Sequence, residues 1–345
     1  MKAGWKEILD CLPFVQRPSL VVYLAAGNLG SHRAKPSIPT RGCVDWLVYS
    51  DPQMIRTFGT LFAGLIGFAF GSFLNVCLTR WPAGESIVKP RSHCRGCGRT
   101  LAWWENVPLI SWLVLRGRCR TCGAWIGWRY PLVELAVGIA WGTIAWQFAS
   151  DGAIPLSFSP RGFVEHIASV SGKLVLTWIL IGLGALDAEH LWLPDAVTLP
   201  GIVLGMVVTL ICEGPLVWKG PFQSLLAAAL NLAFAILIGA GLVLVIRWAY
   251  WLLRRREGIG LGDAKLMAML AAWLGLPGAL LSFAIGVIVG AIVGGVVLMS
   301  PKRPDAEPPG LTKLPLGTFL CIGGILSTLW GQPILAAYLR WAGFN

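Results

Sequence analysis

From Leu266 to Pro301 no residue carries a charge. A helix of that length is about 54 Å long, against a hydrocarbon layer of roughly 30 Å. The run is therefore too long for one crossing, and Gly275-Leu276-Pro277-Gly278 is the place to break it into two short or tilted helices. Further apolar runs lie at Thr57–Leu78, Leu132–Ser150, Ile167–Leu186, Ala196–Cys212, Phe222–Ile246 and Leu314–Leu339. The chain of 345 residues is only 13% charged and 56% hydrophobic, where a soluble domain carries roughly 25% charge. These runs predict an all-α polytopic membrane protein with about eight transmembrane helices.

Charge then orients the spans. The net charge of +11 comes from 28 Lys and Arg against 17 Asp and Glu. Lys89, Arg91, Arg95, Arg99, Arg116, Arg118, Arg120 and Arg129 crowd the loop 80–130, which the positive-inside rule places in the cytoplasm. No basic stripe is interleaved with aromatics, so the excess predicts contact with lipid headgroups and no nucleic-acid partner. An inside loop at 80–130 puts the N-terminus outside, although residues 1–56 carry seven Lys and Arg. Those first residues show no chemistry and read as an extension of unknown role.

Nine cysteines are present, and four of them form two pairs, Cys94/Cys97 and Cys119/Cys122, with 21 residues between the pairs. Four thiolates at this spacing can close a tetrahedral shell, which suits a structural zinc ion. Disulfides or free thiols are the other readings, and a reducing cytoplasm disfavours the first. A shell filled by four thiolates leaves no open position for water, so the metal would fold the loop and take no part in hydrolysis. Cys11, Cys43, Cys77, Cys212 and Cys321 are scattered.

Chemistry must then come from the acids. Asp263 closes the stretch Gly258-Ile259-Gly260-Leu261-Gly262-Asp263, just ahead of the long apolar run. Asp187 directly follows the apolar run that ends at Leu186. Both fall at the mouth of a membrane segment on the same side, where ionisable groups are costly and usually functional. Two carboxylates brought together in a low-dielectric site do not both ionise easily; one keeps a proton while the other acts as a base toward water. An Asp capping a helix start is the competing reading for Asp263, and for Asp195 the better one. Glu189 and His190 read as interfacial, and Glu134 as a buried polar partner of the cysteine loop.

Together these motifs resemble the bacterial type IV prepilin leader peptidase/N-methyltransferases, which also serve type II secretion. The resemblance rests on Gly71-Ser72-Phe73-Leu74-Asn75-Val76, the paired cysteines, and the segments 104–112 and 129–134 around them. It rests equally on Leu186-Asp187-Ala188-Glu189-His190 and on Gly260-Leu261-Gly262-Asp263 with Lys265. It implies that Asp187 and Asp263 cleave the leader of prepilins or pseudopilins at the cytoplasmic face of the inner membrane. The new α-amino group would then be methylated with S-adenosylmethionine, and pilus or secretion machinery would be the wider partner. The runs and the resemblance together predict four parts: an extension 1–56 of unknown role, a first transmembrane helix 57–78, a cytoplasmic zinc loop 79–131 held by Cys94, Cys97, Cys119 and Cys122, and a peptidase core 132–345.

Three features depart from the family pattern: Glu189 where Asp is usual, the first 50 residues, and the long step from Asp187 to Asp263. No strand-turn-helix glycine loop marks a site for the methyl donor. A different Gly-x-Gly-Asp membrane protease, such as a preflagellin peptidase or a presenilin-like enzyme, would lack the four-cysteine loop. A channel or transporter with a zinc ribbon would explain the buried acids but not this set of motifs.

Overall fold

A computed structural model describes residues 52–150, 160–213, 222–255, 260–299 and 314–343. The chain divides into two compact units, Met1–Ile55 and Arg56–Asn345, and everything below concerns the second. The extension expected at residues 1–56 lies almost wholly outside the described residues.

Among the described residues, seven helices are long and apolar enough to cross a membrane. They are α1 (Pro52–Arg80), α3 (Arg129–Ser150), α4 (Pro160–His190), α5 (Asp195–Glu213), α6 (Phe222–Arg254), α7 (Leu261–Met299) and α8 (Leu316–Trp341). A one-turn helix, α2 (Ile110–Val114), lies in the loop between α1 and α3. Among the described residues only two isolated β-bridges occur, His93 with Thr100 and Arg118 with Trp125.

The expected eight crossings and the seven helices meet in α7. Gly275 leaves helical geometry at φ 67°, ψ 179°, a left-handed φ that glycine adopts without the penalty of a Cβ. The chain doubles back there. In the second leg Gly278, Gly286 and Gly294 lie against Ser327, Phe319 and Leu314, so residue numbers fall along α8 as they rise along α7. In the first leg Leu270 lies against Gly324, and Leu193 touches both Gly262 and Gly317, so the two run parallel. The first leg is about 21 Å long at 1.5 Å per residue, too short to cross the hydrocarbon layer alone. Seven apolar helices thus give eight helical legs.

That short leg is the centre of the bundle. Leu266, Met267, Met269, Leu270 and Ala271 are fully buried and pack with Leu176, Leu180 and Leu183 of α4 and Leu320 of α8. Trp273 Nε1 donates to Gly201 O at 2.8 Å and Thr209 Oγ1 to Ala272 O at 2.7 Å, tying the leg to α5. Lipid supplies little hydrophobic drive between helices, so close packing and such bonds carry the association. The contact of α1 with α3 shows the same economy of space: a Cβ on Gly71 would sit 2.7 Å from the Glu134 Cα.

Candidate functional site

The loop between α1 and α3 is built from one turn written twice. In the first copy Cys94 N donates to Arg99 O and Gly98 N to Cys94 O, both at 2.9 Å. In the second, Cys119 N donates to Ala124 O at 2.8 Å and Gly123 N to Cys119 O at 2.9 Å. Gly98 and Gly123 occupy equivalent places with φ +71° and +69°, where glycine avoids the left-handed penalty. The two β-bridges close the copies at equivalent positions. The repeated unit is a Cys-x-x-Cys-Gly turn.

The two turns bring the Sγ atoms of Cys94, Cys97, Cys119 and Cys122 within 4.8 Å of one another. A tetrahedral zinc with Zn–S bonds of about 2.3 Å separates its sulfurs by about 3.8 Å, and Cys94 Sγ lies 3.7 Å from Cys122 Sγ. Gly96 N donates to Cys94 Sγ at 3.3 Å. Backbone N–H groups of Cys122 and Thr121 push the Cys119 thiol down to about 6, while at Cys122 the Ala124 N–H is outweighed by burial and neighbouring thiols, which push that thiol up, so without a cation the cluster favours one thiolate at Cys119. The cluster can hold a tetrahedral metal ion.

The remainder of the loop supports this cluster from below. Trp112 packs on Trp125 and Trp128 and donates from Nε1 to Ile126 O at 3.0 Å. Glu105 accepts from Arg99 at 2.6 Å and from Ala102 N at 2.8 Å. Arg80, buried at the end of α1, donates to Ser86 O and Pro90 O. Glu134 accepts from Leu109 N at 2.8 Å, so it is the buried polar partner the sequence suggested.

The acids lie at the same end of the bundle. Asp187, 6% exposed, is near the end of α4. One of its oxygens, Oδ2, accepts from Thr318 N at 2.7 Å and from Thr318 Oγ1 at 3.1 Å. The same hydroxyl is 3.0 Å from Gly184 O, so its one proton is shared between two acceptors. Thr318 belongs to the first turn of α8, where backbone N–H groups lack intrahelical partners and the helix dipole favours an anion. Asp263, 8% exposed, opens α7 and accepts from Gly260 N at 3.2 Å. Leu193 packs between the two acids, against Gly262 on one side and Gly317 on the other. Gly258 and Ile259 fall outside the described residues.

The other acids divide cleanly. Asp195 is the first residue of α5 and pairs with Lys265 at 2.6 Å. Pro194, not Asp195, holds the capping place, for its carbonyl accepts from Val197 N and Thr198 N. Glu189 is partly exposed and bonds Arg129, which also donates to Thr79 Oγ1 at 2.7 Å. This arginine joins α1 and α3 to the helix of Asp187. Sequence reasoning missed Gly317 and Thr318 altogether. The signal was Pro315-Leu316-Gly317-Thr318 at the head of the last apolar run, with a proline and a glycine at a helix start.

Comparison with known proteins agrees with this division. Residues 65–148 match the bacterial peptidase A24 N-terminal domain, and residues 174–295 match the type IV leader peptidase family. A prepilin leader peptidase/N-methyltransferase of Stutzerimonas stutzeri is 34% identical over 305 residues, covering 82% of this chain and 94% of its own. One from Burkholderia pseudomallei strain 1026b is 36% identical over 301 residues, covering 79% of this chain and 85% of its own. One from Myxococcus xanthus strain DK1622 is 36% identical over 267 residues, covering 75% and 70%. No solved structure matches. With two buried aspartates at one end of a polytopic bundle and similarity over most of its length, the chain belongs to the prepilin leader peptidase/N-methyltransferase family.

Proposed function

We propose that Asp187 and Asp263 are the catalytic pair of a multi-pass inner-membrane aspartic peptidase that cleaves the leader of prepilins or pseudopilins and methylates the new N-terminus. The observation that carries this reading is the burial of both carboxylates, from α4 and α7, around one side chain: Leu193 lies against Gly262, the neighbour of Asp263, and against Gly317, which adjoins Asp187 in the first turn of α8. One carboxylate takes a proton from water as the water attacks the scissile carbonyl, while the other, in its acid form, protonates the carbonyl oxygen. The first turn of α8 fixes Asp187, so the pair keeps its spacing while a substrate backbone enters. Gly262 and Gly317 have no side chains where Leu193 packs against them, which lets the starts of α7 and α8 come close beside the acids.

Cys94, Cys97, Cys119 and Cys122 hold a structural zinc ion in this reading. Residues 79–131 are its cytoplasmic loop, 57–78 the first transmembrane helix, 132–345 the peptidase core, and 1–56 an added segment. In this reading the acid pair faces the cytoplasm, which the basic loop supports: Arg129 bonds both Thr79 at the end of α1 and Glu189 beside Asp187. S-adenosylmethionine supplies the methyl group, and pilus or secretion assembly machinery receives the product. The test is incubation of the purified protein with a prepilin, with and without S-adenosylmethionine, followed by mass measurement of the N-terminus. Cleavage in both samples and one added methyl group only with the donor are expected; an uncleaved leader in both overturns the peptidase reading.

A further inference from the structure

A cavity of about 1150 Å³ opens between the end of α1 and the cysteine loop. This slightly exceeds the roughly 300–1,000 Å³ of small-molecule sites, so it has room for a nucleoside-sized ligand beside the end of a peptide. A smaller hollow of about 350 Å³ is lined by Leu244, Arg247, Trp248 and Trp251 of α6 alone and contains no acid.

The walls of the large cavity carry unspent polar capacity. Asn75 is 3% exposed and lines the cavity. Its Nδ2 donates to Tyr130 O at 2.9 Å, but its Oδ1 accepts nothing. The Nε atoms of Arg99 and Arg129, two further lining residues, are buried and also have no partner. Three of the six such atoms among the described residues belong to side chains that line this one cavity, whereas buried polar groups are normally satisfied. The ligand that completes them must offer a donor to Asn75 and an acceptor to an arginine. The carboxylate of Glu134 and the indoles of Trp112 and Trp125 lie on the same walls, offering an anion for a cation and flat faces for a ring.

We infer that this cavity is the binding site for S-adenosylmethionine. Its amine and sulfonium suit Asn75 and Glu134, its carboxylate suits Arg99 or Arg129, and its adenine suits the indoles. This inference rests on the methyltransferase part of the function proposed above. When bound, the donor gives its methyl carbon to the neutral α-amino nitrogen: the S–CH3 bond breaks with its electron pair on sulfur, the N–CH3 bond forms, and one proton leaves the amine. Arg129 also bonds Glu189, two residues beyond Asp187, so the cavity wall and the helix bearing Asp187 share a side-chain link.

The experiment uses the full chain in nanodiscs with radiolabelled S-adenosylmethionine. Saturable binding is measured directly, and ultraviolet crosslinking followed by peptide mapping locates the label. Wild type is expected to bind, with label confined to peptides within 69–134. Asn75→Ala is expected to weaken binding at least tenfold, with leader cleavage as the check that it folds. Crosslinking needs no variant, so the inference stays testable even if Asn75→Ala misfolds. Label on α5 to α8, undiminished binding by a folded Asn75→Ala, or a bound phospholipid that the donor does not displace would each overturn the cavity assignment while methylation by wild type stands. Absence of both methylation and binding in wild type removes the methyltransferase reading itself, and this inference with it.

Discussion

The cysteine loop and the acid pair lie at one end of the same bundle, yet they are assembled in opposite ways. Each Cys-x-x-Cys-Gly turn closes on itself within a few residues, and the ligand set is complete between Cys94 and Cys122. The acid pair has no local definition. Asp187 is fixed by Thr318, 131 residues away, and Asp263 approaches it on a leg that exists because the chain reverses at Gly275. A metal centre of this kind depends on local spacing, whereas the acid pair depends on the packing of α4, α7 and α8. Damage to the loop should therefore spare the acids, and small changes at α8 should spare the loop.

Removing the metal tests the first half of that contrast and should have the largest effect. Structural zinc contributes on the order of 10 kcal/mol to small metal-folded units, so Cys119→Ser or a strong chelator is expected to unfold the loop. Metal content should fall to background and methylation should be lost, while leader cleavage stays within about tenfold of wild type. Metal analysis and both product assays on the same preparation check this; equal loss of cleavage would show that the two regions are not separable.

Next in size is Gly317→Ala. Its Cβ would lie 2.9 Å from Asp187 Oδ2 and 3.0 Å from Leu193 Cδ1, so the carboxylate or the leucine must move. Cleavage is expected to fall by about a hundredfold, since displacement of a reacting group by an ångström carries roughly that cost. Bound metal should not change. Thr318→Val is gentler, because the backbone N–H that holds Asp187 remains. Loss of one hydroxyl bond, about 1 kcal/mol, predicts a rate about fivefold lower.

The smallest effect concerns pH. The Arg99 guanidinium, helped by Ala102 N–H, holds the Glu105 carboxyl below the usual range. Its contribution is complete above the unfolded value near 4.3 and disappears as pH falls through the lower folded value. Acidification in that window should loosen the loop in wild type, and Glu105→Gln should flatten the dependence. Tryptophan fluorescence of the loop reports both.

This contrast also explains what could be read in advance. The cysteine spacing, the buried Glu134 and the break at Gly275-Leu276-Pro277 were legible because each acts on its neighbours. The eight helical legs were legible in the same way, α7 being one long helix folded into two of them at Gly275. Asp195 was misread as a cap because its partner, Lys265, stands 70 residues away. Gly317 and Thr318 escaped notice because their importance lies in what packs beside them, and no spacing records that. Asn75, Arg99 and Arg129 were visible as residues, but their bare polar atoms are a property of the folded walls.

The central claim is that Asp187 and Asp263 act as one pair. Its most direct test is the rate of prepilin leader cleavage by Asp187→Asn and Asp263→Asn, at matched protein level, with bound metal as the folding control. Each variant is expected to lose at least about a thousandfold in rate, and the double variant to be no worse than either single one, because both belong to one proton-sharing unit. Full cleavage by either single variant, with metal content normal, would contradict the account.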